Sequence, residues 1–115
     1  MLNRLFKKKK VVLSNNSFAD LGQDENEIIN LVSPYTMTSK ERLVSLIRAI
    51  RYIEKNGIEG DFVECGVWKG GSVMAMILAL KSINNQERRI WLCDTFQGMT
   101  PPISDDSKFD GTPAK

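Results

Sequence analysis

Residues 61–72 read DFVECGVWKGGS. A short apolar run, Phe62 and Val63, ends in Glu64, Cys65 and Gly66, and the chain then turns through Trp68, Lys69 and the pair Gly70-Gly71. The run is too short for a helix and follows a glycine, so the pattern predicts a buried strand over 61–65. From Ser72 to Ile83, apolar residues recur at Val73, Met76, Ile77, Leu80 and Ile83, the helical interval, with Ser72 as the expected cap. A second short apolar run, RIWLC at 89–93, stops at Asp94. Strand, helix and strand within about thirty-five residues form a βαβ unit, whose strands run parallel with a right-handed crossover.

Working outward, Leu43, Leu46, Ile47, Ile50 and Ile53 predict a helix over 38–56, started by a capping box of Thr38 and Glu41 and stopped by Asn56-Gly57. Residues 1–34 mix charge with Asn, Ser and Asp, hold one short periodic segment at 25–32, and are expected to form an arm or lid. Residues 35–115 carry the sharper helix and strand signals and are read as a unit separate from that arm. After Asp94 the chain turns to TFQGMTPPISDDSKFDGTPAK, a loop with three acidic residues, Asp105, Asp106 and Asp110.

Composition narrows the function. The 115 residues are 42% apolar and 26% charged, ordinary for one globular domain. The net charge of +2 comes from the run Lys7–Lys10 and not from a basic face, so no nucleic-acid partner is expected. The apolar residues after that run are too few for a signal peptide, and no stretch is long enough to span a membrane, which points to the cytoplasm. With no histidine and only Cys65 and Cys93, neither imidazole chemistry nor a Cys/His zinc site can be built from this chain. The two thiols fall at matching strand ends and are expected to be free and buried, with a disulfide as the alternative.

Glycines between a first strand and its helix let a ligand approach the backbone, and the helix N-terminus favours an anionic group. A carboxylate ending the second strand, here Asp94, suits the two hydroxyls of a ribose. The dinucleotide pattern GxGxxG fails at its second glycine, where Trp68 stands, and the Walker pattern fails because Lys69 precedes the glycines. A cofactor without a diphosphate remains, and Glu64 suits a cationic amino-acid end. S-adenosylmethionine has both that ammonium group and a ribose. Trp68 and Phe96 either stack on its adenine or close the rim of the core.

Three segments, YTMTS at 35–39, GDFVECGVWKGGS at 60–72 and DTFQGMTPP at 94–102, together resemble the macrocin O-methyltransferase family, over roughly residues 35–111. The resemblance implies an α/β, Rossmann-like class I methyltransferase fold that uses S-adenosylmethionine to methylate sugar hydroxyls of natural products. It implies that Glu64, Gly66, Gly70, Gly71 and Ser72 form the cofactor loop and that Asp94 holds the ribose. By the same resemblance Met37 and Thr38 contact the cofactor from the side, and Thr95, Phe96 and Gly98 line the adenosine. Family members are roughly twice this length, with a seven-stranded sheet and a magnesium ion held by downstream aspartates. The catalytic base, the metal ligands and most of the acceptor pocket are therefore expected outside this chain, which alone should not catalyse transfer. The partner implied is a sugar-bearing small molecule, with association between copies left open. Two rivals stand beside this reading: an inactive cofactor-binding or dimerisation fragment serving a longer methyltransferase, and a dehydrogenase-type nucleotide fold.

Overall fold

A computed structural model describes residues 20–85 and 87–112. Three helices and a two-stranded sheet follow in the order α1 (Gln23–Val32), α2 (Lys40–Lys55), β1 (Phe62–Cys65), α3 (Gly71–Ser82) and β2 (Ile90–Cys93), with a single 3-10 turn at Ser33–Tyr35. The strands are parallel and pair Phe62 with Ile90, Val63 with Trp91, Glu64 with Leu92 and Cys65 with Cys93, as the βαβ pattern requires.

The core is helical. Ile28, Ile29 and Val32 from α1 meet Leu43, Val44, Ile47 and Ile50 from α2 and Val73, Ala75, Met76, Ala79 and Leu80 from α3. Helix α1 is thus part of the packed core, not a lid: it buries Ile28, Ile29 and Val32 against both other helices. The remainder of the expected arm, residues 1–19, lies outside the described residues. Across α1 and α2, Arg48 donates to Glu25 at 2.9 and 3.0 Å and to Asp20 at 2.9 Å. Glu25 is buried, and the guanidinium beside it holds its carboxyl below the ordinary carboxylate value.

The helix ends differ from expectation at their N-termini. Helix α2 starts two residues late, with Ser39 at the cap; Thr38 instead donates its N–H to Thr36 Oγ1 at 2.9 Å, so no Thr38–Glu41 capping box forms. The reciprocal contact belongs to α1, where the Glu25 carboxylate accepts the Gly22 N–H at 3.0 Å. Both later helices close by the same device. In α2, Ile58 N–H reaches Ile53 C=O and Gly57 N–H reaches Glu54 C=O; in α3, Asn85 and Asn84 do the same to Leu80 and Lys81.

Neither strand is buried as predicted. Phe62 and Ile90 pack on the helical core, while Val63 and Trp91 on the opposite face are 58% and 53% exposed. Parallel sheets normally have both faces covered, and here helices cover one. Cys65 and Cys93 share the open face; they are free thiols, as expected, but exposed ones. Near the other end of the strands, Arg88 ties the fold together. It donates to the carbonyls of Ile58 and Gly60, pairs with Glu54 of α2 and stacks over Phe62. Among the described residues no helix is long and apolar enough to cross a membrane.

Candidate functional site

Beyond the carboxyl end of β1 lies an open cleft of about 250 Å³, lined by Tyr35–Thr38, Arg42, Glu64, Gly66–Trp68, Gly71 and Ser72. Two glycines set its shape. Gly70 caps α3 with φ of +81°, a conformation costly for residues with a Cβ, and this bend turns the loop directly into the helix. The expected cap, Ser72, sits one residue inside the helix and makes no capping bond. Gly71 has an ordinary φ but no room: an added Cβ would lie 2.6 Å from both Thr36 Cβ and the Tyr35 carbonyl oxygen. Only glycine lets α3 abut the 35–36 backbone and close that wall of the cleft.

Glu64 enters the cleft from β1. It is half-buried, has no hydrogen-bond or ion-pair partner among the described residues, and burial pushes its carboxyl above the ordinary value. Such a carboxylate gains most from a cationic ligand. Beside it, Gly71 and Ser72 present the first turn of α3, whose leading N–H groups have no intrahelical acceptor.

Asp94, past the end of β2, ties the glycine loop to the loop that follows β2. Its Oδ2 accepts the Val67 N–H at 2.6 Å and its Oδ1 accepts the Phe96 N–H at 2.9 Å, and these bonds hold its carboxyl below the ordinary value. The Gly66 N–H continues the strand ladder to the Cys93 carbonyl at 2.9 Å. The two loops are thereby laced together. Trp68 and Phe96 both adopt positive φ, 47° and 55°, a strained state for such side chains, and stand 54% and 67% exposed. Lys69 lies 4.8 Å over the Trp68 ring.

Of the residues singled out from sequence, Met37, Thr38, Glu64, Gly66, Gly71 and Ser72 line one cleft. Gly70 shapes it from the cap. Asp94, Thr95, Phe96 and Gly98 are exposed loop positions outside its lining; Asp94 is tied to the lining residue Val67 by accepting its N–H, and Phe96 is tied to Asp94 in turn. Sequence reasoning passed over Tyr35, Thr36, Val67 and Arg42. The need for glycine at 71 was the available signal for the first two; nothing in the sequence sets Arg42 apart from a solvated helix cation.

The sequence profile of the macrocin-O-methyltransferase (TylF) family matches residues 3–113. The chain belongs to this family. Related proteins include the 8-demethyl-8-(2,3-dimethoxy-alpha-L-rhamnosyl)-tetracenomycin-C 4'-O-methyltransferase of Streptomyces olivaceus, 38% identical over 73 residues. Mycinamicin III 3''-O-methyltransferase of Micromonospora griseorubida is 30% identical over 95 residues. The matches cover 64% and 83% of this chain but 28% and 37% of those proteins. Among solved structures, the O-methyltransferase NovP superposes with a TM-score of 0.55 at 32% identity, over 65% of this chain and 31% of NovP. The helices and the two-stranded parallel sheet are therefore an incomplete α/β methyltransferase fold of this family.

Proposed function

We propose that this chain forms the methyl-donor half of an S-adenosylmethionine-dependent O-methyltransferase acting on a hydroxyl of a sugar-bearing natural product. The observation that carries the reading is Glu64: a half-buried, unpaired carboxylate facing a cleft between the glycine loop and the start of α2. It would take the ammonium of the donor's methionine end, and the α3 N-terminus would face the donor's carboxylate. Asp94, although holding Val67 and Phe96, retains lone pairs for the ribose hydroxyls, since a carboxylate has about four acceptor sites. Met37 and Thr38 would close the side, with Thr95, Phe96 and Gly98 beside the adenosine.

When bound, the donor supplies an electrophilic sulfonium methyl, and transfer follows attack by a sugar hydroxyl. This chain's residues hold and orient the donor for that attack. The resemblance to the family brings a magnesium ion that would orient the acceptor. Asp106 and Asp110 serve their own turn, accepting the N–H groups of Ile103 and Thr112, and no three acidic or thiol side chains converge among the described residues. By the family resemblance the base and metal ligands would lie outside this chain, and exposed free thiols suit a reaction in the cytoplasm.

The open sheet face favours a second reading, in which the chain binds donor without turnover and docks on a longer methyltransferase. Equilibrium dialysis with labelled S-adenosylmethionine, followed by an assay for methyl transfer to a sugar-bearing acceptor, tests both. Saturable binding that NAD does not displace, without turnover by the chain alone, is expected. Displacement by NAD at equal concentration would contradict the methyl-donor reading.

A further inference from the structure

The cleft contains two unpaired charges of opposite sign. Arg42 lines it from the first turn of α2, and Glu64 lines it from β1. Arg42 has no carboxylate partner among the described residues, and the two side chains are not paired with each other. The other arginines of α2 behave differently: Arg48 is bound to Glu25 and Asp20, and Arg51 to Asp24. A surface that satisfies its neighbouring guanidiniums with carboxylates yet leaves Arg42 free beside a free Glu64 fits a ligand carrying both charges.

We propose that Arg42 and Glu64 form a zwitterion clamp, in which Glu64 takes the α-ammonium and Arg42 the α-carboxylate of an amino-acid-bearing ligand. The clamp rests on the donor reading above and adds a second anchor to it, on α2 and not on the glycine loop. A planar guanidinium can grip a carboxylate through two parallel N–H bonds, which fixes the direction of the amino-acid end as well as its place. The first turn of α3, at Gly71 and Ser72, adds backbone N–H groups on the same side of the cleft. Arg42 is thus a positioning residue for the donor: by fixing the methionine end it fixes where the sulfonium methyl lies.

The test uses two probes that differ only in the carboxylate, S-adenosylmethionine and its decarboxylated form, titrated calorimetrically into this chain, Arg42→Ala and Arg42→Lys. The unsubstituted chain is expected to prefer S-adenosylmethionine. Arg42→Ala should weaken that probe at least tenfold and change the decarboxylated probe by less than twofold, and Arg42→Lys should recover part of the loss. Because Arg42 is exposed, these variants are expected to keep the helical circular dichroism of the parent. Unchanged binding of S-adenosylmethionine to Arg42→Ala, or an equal loss for both probes, would overturn the clamp while leaving the donor reading in place. Binding of neither probe by the unsubstituted chain would overturn the donor reading, and the clamp with it.

Discussion

At position 71 one hydrogen atom decides whether the cleft exists. Placing a methyl group there drives it into Thr36 and the Tyr35 carbonyl, backbone that cannot swing aside as a side chain could. Gly71→Ala is expected to cost about 1–3 kcal/mol, seen as a lower urea midpoint, because α3 must shift away from the 35–36 segment. An unchanged midpoint would mean that the close approach is not maintained in solution. Glu64 carries the opposite trade. Its carboxyl is raised by burial, so the folded state favours the neutral form; the associated stability is present below the ordinary value of 4.5 and is lost as pH rises through the folded value. Glu64→Gln, neutral at every pH, should therefore raise the melting temperature at pH 7 while weakening S-adenosylmethionine binding. A fall in melting temperature would show that the ionised carboxylate has a partner within the fold. Glu64 and the glycines were legible in the sequence because a carboxylate and small residues at a strand-to-helix turn have few purely structural uses. Arg42 was not, since a basic residue in a helix beside Glu41 looks like any solvated pair until the fold brings α2 to the mouth of β1.

Among the elements, α1 was misjudged for a physical reason. Its ten residues include Asp24, Glu25, Asn26, Glu27 and Asn30, and the polar majority suggests a solvent-facing arm. The apolar minority, Ile28, Ile29 and Val32, points inward, and Glu25 is satisfied by Arg48 from twenty-three positions away, a pairing no local pattern reveals. The βαβ core was legible because its period changes abruptly at Gly66 and again near Asn84. The ion pair also sets an acid response. Glu25, like Asp20, ionises more readily in the folded chain, so its contribution is complete above its ordinary value of 4.5 and drains away as pH falls through the folded value. Glu25→Ala should destabilise the chain by about 1–2 kcal/mol at pH 7, given that Arg48 is partly exposed. The variant should also flatten the loss of helical signal on titration from pH 5 to about 2. Equal acid sensitivity in parent and variant would move the cause elsewhere.

For the whole molecule the decisive feature is asymmetry: on one sheet face Phe62 and Ile90 pack on the helical core, and on the other Val63, Cys65, Trp91 and Cys93 stand exposed among the described residues. The alternating exposure of β1 and the exposure of β2 beyond Ile90 could not be read from FVEC and IWLC, which are apolar enough for a sheet covered on both sides and match the parallel strands of a complete fold. The stretch that this chain matches is 37% of the length of the mycinamicin III enzyme and 28% of the tetracenomycin one. Both thiols should accordingly react with a disulfide reagent without denaturant, two per chain, and a result of none would mean that something covers this face. The central claim, that the cleft at the end of β1 holds a methyl donor, is tested most directly by a titration of the isotopically labelled chain with S-adenosylhomocysteine, followed by amide NMR. The account predicts saturable shifts confined to Met37, Thr38, Arg42, Glu64, Gly66, Trp68, Gly71, Ser72 and the loop around Asp94. Shifts confined to the open sheet face, or none at saturating ligand, would contradict it.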